Sequence, residues 1–340
     1  MRIFLHIGRG KTGTTTIQQT LHANADRLRE RGILYPATGR LPNAAHHEWA
    51  WTLRKLADEP DGTANVDLGA LIAALNEEIE EYDPRTLLLS SEVLSRATSC
   101  GVLVENLAQV SEDISVIAFV RRQDSYLEAI YAQEVRTGFT RDEPAEFLAG
   151  LLEDGYLDHL RALSPWADAL GWDRIAVQPY EPDVSVVDSL NTLLAFAGVD
   201  FELERIPWKN ERPSRRALEM LRAMPPERRG LKLFSSLIAG LESWAPVDSE
   251  PPGWEHFWTN EERQAVLDRY SDSNQRLAEL ARVPVPLFRG TPAPDGELFP
   301  GLSVEDAAAA ARTIWELGLG PRRRERLREL DTTTLDDLTA

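Results

Sequence analysis

Apolar positions along the chain follow two alternating rhythms. Short, nearly unbroken apolar runs occur at "RIFLHI" (2–7), "TLLLSS" (86–91), "ISVIAFV" (114–120) and "RIAVQPY" (174–180). The breaker "DP" precedes the second and the turn-like "GWD" precedes the last. Runs that are apolar on both faces suit parallel strands covered by helices. "GILYP" (32–36) predicts a further short strand. Between these runs the period lengthens and predicts helices over 13–31, 67–82, 122–136, 144–153, 156–169 and 184–197. Strand–helix alternation of this kind makes an α/β parallel sheet with crossover helices.

From about residue 206 the texture changes. "PWKNERPSRR" reads as a loop, and helices are predicted at 213–223, 231–243, 259–281 and 303–316. "WAPVDSEPPGWEHFW" (244–258) reads as a loop with aromatic anchors. No repeat at a solenoid period interrupts this order. The expected organisation is an α/β core over 1–205 and a mostly helical part over 206–320. That part is expected to pack on the core within one domain, and a charged tail follows over 321–340.

Composition narrows the class. The chain has 340 residues, 43% of them hydrophobic, with nine Trp and ten Phe, which favours a packed globule over disorder. The single cysteine, Cys100, permits no disulfide within the chain and suits a reducing compartment. No apolar stretch approaches the roughly 20 residues that span a bilayer, so no transmembrane segment is expected. The opening residues lack the pattern of a signal peptide, and the expected location is cytoplasmic. A net charge of −18 argues against a broad nucleic-acid surface but says nothing about a local basic pocket.

The candidate chemistry begins where the first strand ends, at "GRGKTGTTT" (8–16). A strand, a glycine-rich turn and a helix make an anion site, because first-turn N–H groups are unpaired and the helix dipole favours negative charge. Glycine lets the backbone approach an anion without a Cβ in the way. The cradle comprises Gly10, Lys11, Thr12, Gly13, Thr14, Thr15 and Thr16. Gly8 and Gly13 keep the glycine spacing of the ATP and GTP loop G-x-x-x-x-G-K-[ST]. The lysine, however, stands two residues before the second glycine, and three threonines follow it. A metal-assisted NTPase is therefore disfavoured and no metal is expected.

"KTGTT" after a strand and before a helix resembles the 5′-phosphosulfate loop of sulfotransferases that use 3′-phosphoadenosine 5′-phosphosulfate (PAPS). The resemblance covers roughly the first 200 residues and is looser beyond them. It implies a P-loop-type sheet flanked by helices, with PAPS as sulfuryl donor and adenosine 3′,5′-bisphosphate as product. It also implies that Lys11, Thr12, Gly13, Thr14 and Thr15 hold the phosphosulfate. Lys11 would neutralise the bridging oxygen as the sulfuryl group leaves.

The same family holds the 3′-phosphate with an arginine at a central strand end and a serine eight residues on. Arg121 ends the strongest strand here, but Ala129 stands at the serine position. Ser125, one helical turn earlier, is the substitute on the same face. Arg122 and Arg136 are further basic candidates. Asn210 and Arg212 fall where the family closes a late loop over the nucleotide.

Transfer to an alcohol or amine needs a base. Family members use His or Glu, which leaves two readings open. Glu92 follows the strand 86–91, where side chains face the ligand crevice of a parallel sheet, although "SSEVL" also reads as a helix start. His46 and His47 in "NAAHHEWAW", ahead of an aromatic-rich helix, are the rivals. His6, on a buried strand, reads as structural. Tyr126, Trp49, Trp51 and Trp208 are candidates for the acceptor pocket, with core packing the default for each. The expected acceptor is a hydroxyl or amine on a small molecule, lipid or glycan. Competing readings are a P-loop kinase and a non-catalytic nucleotide- or carbohydrate-binding protein. The sequence is silent on oligomeric state.

Overall fold

The protein is described from a computed structural model. It covers residues 1–58, 68–97, 100–180, 186–198, 201, 203–204, 213–223, 240–241, 245, 256–290, 299–306, 308–309 and 312. Five strands form one parallel sheet: β1 (Arg2–His6), β2 (Ile33–Leu34), β3 (Thr86–Ser90), β4 (Ile114–Arg121) and β5 (Ile175–Tyr180), in the order β2-β3-β1-β4-β5. The predicted strands are all present with ends shifted by no more than two residues. Pro179 lies in β5, an edge strand, the place in a sheet where proline is tolerated.

The alternation along β1 explains the layering. Ile3, Leu5 and Ile7 enter one apolar cluster with Leu87, Leu89, Val116 and Val177. That face is covered by α3 (His47–Asp58), α4 (Leu68–Tyr82), α5 (Cys100–Ala108), α8 (His159–Leu170) and α12 (Ser271–Ala281). Phe4 points the other way, into a cluster with Leu88, Ile117 and Phe119 beneath α1 (Thr14–Ala23), α2 (Ala25–Glu30) and α9 (Val186–Phe196). Burial on both faces is what the unbroken apolar strands require.

Some helices differ from expectation. The stretch 13–31 breaks at Asn24, whose side chain donates to Thr20 O (2.8 Å) and Glu204 O (2.9 Å) and accepts from Glu204 N–H (2.9 Å). A side chain that offers the backbone this alternative interrupts a helix. The stretch 259–281 breaks at Tyr270, giving α11 (Asn260–Arg269) and α12. The helix α5 was not expected, because its β-branched, glycine-bearing sequence "CGVLVENLA" shows only a weak helical stripe, Cys100, Leu103 and Leu107.

The chain divides into two compact units, and the division is not a single cut at 205/206. One unit comprises Met1–Leu127, Leu151–Lys209 and Gln264–Pro292, and the other Glu128–Gly150, Asn210–Arg263 and Ala293–Ala340. Hydrophobic periodicity does not record such re-crossings, since a helix reads alike in either unit. The first unit holds the sheet and both clusters. The second holds the last part of α6 (Gln123–Thr137), most of α7 (Pro144–Glu153) and α10 (Arg215–Ala223). Among its described residues is a buried Arg215–Glu128 pair at 2.7 Å, with the Arg215 guanidinium 3.4 Å from the Phe257 ring centre. The predicted helices 231–243 and 303–316 fall largely outside the described residues, as do the 244–258 loop and the tail.

Candidate active site

Every strand end that matters here lies on one edge of the sheet. β1 pairs with β3 on one side and β4 on the other, so the loop after β1 hangs between the ends of those two strands. Its backbone is pinned to both flanks: Arg9 N–H donates to Phe119 O (2.9 Å), and Ser91 N–H donates to His6 O (2.9 Å).

The loop itself is tight. Lys11 has φ 67° and Gly13 φ 76°, both left-handed. A non-glycine residue held there costs on the order of 1 kcal/mol, and such strain collects at functional sites. Gly8 is obligatory for a different reason. A Cβ there would meet His6 Nε2 at 2.9 Å, Thr12 Oγ1 at 3.1 Å and Thr14 Cγ2 at 3.2 Å. Thr12 is fully buried and its hydroxyl donates to Arg9 O (2.6 Å), so it braces the loop from inside. The helix α1 then starts at Thr14 with Gly13 at its N-cap and no side-chain cap. Thr15 and Thr16 are half-buried on its first turn, and Gly10 has open space where a side chain would stand.

On the β4 flank, Arg121 and Ser125 come together. Arg121 Nε donates to Ser125 Oγ (2.9 Å), and its NH1 donates to Lys11 O (3.1 Å). One guanidinium thus links strand end, helix start and loop. Arg122 is engaged elsewhere, in a two-bond pair with Asp124 at 2.8 and 2.9 Å. The carbonyl of Arg121 accepts from His159 Nε2–H (2.7 Å). That bond fixes the tautomer of His159, and burial, assisted by Arg9, pushes its pKa down to about 3.

On the β3 flank, the two rival bases meet. Glu92 opens a 3-10 helix over Glu92–Arg96. Gln18 Nε2–H of α1 donates to Glu92 Oε2 (2.7 Å), and His47 Nε2 lies 3.6 Å from Oε1. His47 Nδ1 shares a hydrogen bond with Ser91 Oγ (2.8 Å). Burial lowers the pKa of His47, opposed by the Glu92 charge. The Glu92 side chain keeps 25% of its surface exposed, so the carboxylate is both anchored and reachable. Trp51, one turn after His47, is exposed and tilted against it at 5.9 Å.

His46 has a different place. Its Nε2–H donates to Pro36 O (3.0 Å), its Nδ1 accepts from Ser90 N–H (3.1 Å), and the ring is fully buried. Both nitrogens are used in tying the β2 and β3 ends together, and burial holds its pKa down to about 3. His6 is also buried and neutral, sharing a hydrogen bond with Ser90 Oγ (2.8 Å). Trp49 is core, its Nε1–H donating to Thr38 O (3.2 Å), and Tyr126 is buried as well. Asn210, Arg212 and Trp208 lie outside the described residues.

Gln18, Ser91 and Arg9 escaped the sequence reading. Gln18 sits four residues after Thr14, on the same buried face as Leu21, and a polar residue on that face was a readable signal. Ser91 and Arg9 carried none, since their partners are 44 and 147 residues away.

No family model matches the chain, and no curated protein matches its sequence. Among solved structures it is similar to a sulfotransferase from Alicyclobacillus acidocaldarius. The likeness has 15% identity and a TM-score of 0.41, and covers 75% of this chain and 99% of that one. The chemistry of the site therefore has to be argued from its own residues.

Proposed function

We propose that the protein is a sulfotransferase that moves a sulfuryl group from PAPS to a hydroxyl or amine of a small-molecule, lipid or glycan acceptor. The observation that carries this reading is the pair of unlike flanks around one anion loop. A guanidinium–hydroxyl pair, Arg121–Ser125, stands on the β4 side. A carboxylate held by an amide and a histidine, Glu92 with Gln18 and His47, stands on the β3 side. Adjacent strands are about 4.8 Å apart, so the flanks lie about 10 Å from one another across the loop. A donor with a phosphate at one end and a reactive sulfuryl group at the other needs such an asymmetry.

The residues present fit that group. An uncapped helix start, a glycine that tolerates no Cβ and a left-handed lysine form the cradle for its 5′ end. When bound, PAPS supplies an activated sulfuryl group whose leaving atom is a phosphate oxygen. Lys11 provides a positive charge at the loop, Gly10 and Gly13 provide loop amides, and Thr14, Thr15 and Thr16 provide first-turn amides and hydroxyls. Arg121 offers a fork for the 3′-phosphate, with Ser125 holding its Nε side. Glu92 accepts the proton of the acceptor, and His47, oriented by Ser91, steadies the carboxylate and faces the acceptor with Trp51. His46, with both nitrogens bonded, supports the strand ends.

Calorimetry with adenosine 3′,5′-bisphosphate, adenosine 5′-monophosphate and ATP tests the reading. The bisphosphate is expected to bind tightest, without added metal. ATP binding at least as tightly, and only with Mg²⁺, would favour the kinase reading instead.

A further inference from the structure

Arg9 sits inside the anion loop, between Gly8 and Gly10, yet only 3% of it is exposed. Its guanidinium lies 5.4 Å from the Tyr126 ring centre and 5.0 Å from that of Tyr156, two rings stacked at 13°. One terminal nitrogen donates to the carbonyl of Tyr156. Its Nε is buried with no hydrogen-bond partner, and among the described residues Arg9 forms no ion pair. The nearby His159 offers no counter-charge in either protonation state, and the Arg9 charge helps burial keep it neutral.

A buried cation without a carboxylate is costly, and aromatic faces recover only part of that cost. The same charge one residue from the cradle attracts any anion held there, in surroundings that screen it weakly. We infer that Arg9 is the built-in counter-charge of the loop, a positioning residue that raises the loop's affinity for the anionic end of its ligand without touching it. For the PAPS reading, on which the choice of nucleotide rests, that end is the 5′-phosphosulfate. The inference adds a second, buried cation to Lys11.

The test uses the full chain and two probes, inorganic pyrophosphate and adenosine 3′,5′-bisphosphate. Arg9→Met removes the charge at similar volume, and Arg9→Lys keeps it while giving up the fork. Calorimetry is expected to show both probes weakened about tenfold or more in Arg9→Met, the scale for one partly screened charge. Arg9→Lys is expected to stay within about threefold of the parent. The ligand-free melting temperature of Arg9→Met should equal or exceed the parent's, because the variant loses an uncompensated buried charge. Unchanged binding in Arg9→Met overturns the inference. So does equal loss in both variants with a lowered melting temperature, which marks a structural brace, and so does a parent that binds neither probe. A parent that binds pyrophosphate in an Arg9-dependent way but not the bisphosphate leaves the counter-charge standing and removes the PAPS reading.

Discussion

The two ends of the one sheet are built differently. At the amino end, two cavities of about 650 and 660 Å³ open between strand starts. Arg2, Arg31 and Arg85 line the first, all three exposed, and Asp113 at its wall is paired with Arg174 at 2.6 Å. At the carboxyl end Glu92, His47 and Arg121 are half-buried or buried, and each is held by partners on a neighbouring helix or loop. The amino end thus offers room and exposed positive charge, and the carboxyl end offers polar groups held in place by specific partners. Binding and catalysis depend on the second property, because a donor already fixed in place need not be reorganised as charge develops. The direction of the strands decides which end acquires it: in parallel sheets crossover loops bring the carboxyl ends of several strands together.

Acidification should separate the ends most strongly. His6, His46 and His159 all lie at the carboxyl end, and burial holds each near a pKa of about 3 against an ordinary 6.5. Between those values the unfolded chain binds protons that the folded chain refuses, so stability is full above pH 6.5 and is lost as pH falls below it. The slope approaches about 4 kcal/mol per pH unit if all three stay neutral. Urea denaturation at pH 7.5, 6.5 and 5.5 checks this, and equal stability at all three would break the contrast.

Glu92→Gln is the next largest test. It should keep nucleotide binding and lower turnover about 10²–10⁴-fold, because an amide keeps the shape but accepts no proton. His47→Ala should act mainly on acceptor KM. If the histidine variant instead loses kcat while the glutamine variant stays active, the β3 flank has been read the wrong way round.

Lys11→Ala should cost about 10²–10³ in turnover, the scale of one pre-placed donor, with the fold intact by circular dichroism. Near-normal turnover would remove Lys11 from the chemistry.

Arg121→Ala should weaken adenosine 3′,5′-bisphosphate by about 1.5–3 kcal/mol while sparing adenosine 5′-monophosphate. Equal weakening of both would mean that the β4 flank reads no 3′-phosphate.

The smallest effect belongs to the amino end. Arg31→Ala together with Arg85→Ala should leave nucleotide affinity within about twofold, since exposed residues away from a site change energies by about 0.5 kcal/mol or less. A larger loss would show that the roomy end takes part after all.

Much of the fold was legible because the determinants are local. Unbroken apolar runs mark strands buried on both faces, and the glycine–threonine loop marks an anion cradle wherever it follows one. The breaks at Asn24 and Tyr270 were not legible. At Asn24 the helix ends because a side chain finds Glu204, 180 residues away. No membrane-crossing helix was expected, and among the described residues none is long and apolar enough to cross a membrane.

Sequence alone determined the strands, the loop and the set of candidate side chains, because hydrophobic period and glycine placement act over a few residues. It left Glu92, His46 and His47 as rivals. Tertiary structure alone decided that Glu92 and His47 face each other, held by Gln18 and Ser91 respectively, that His46 is spent on the β2 and β3 ends, and that Arg9 is buried with no ion pair among the described residues. Those outcomes depend on which strand ends become neighbours, and strand order is a long-range property that no local pattern along the chain encodes.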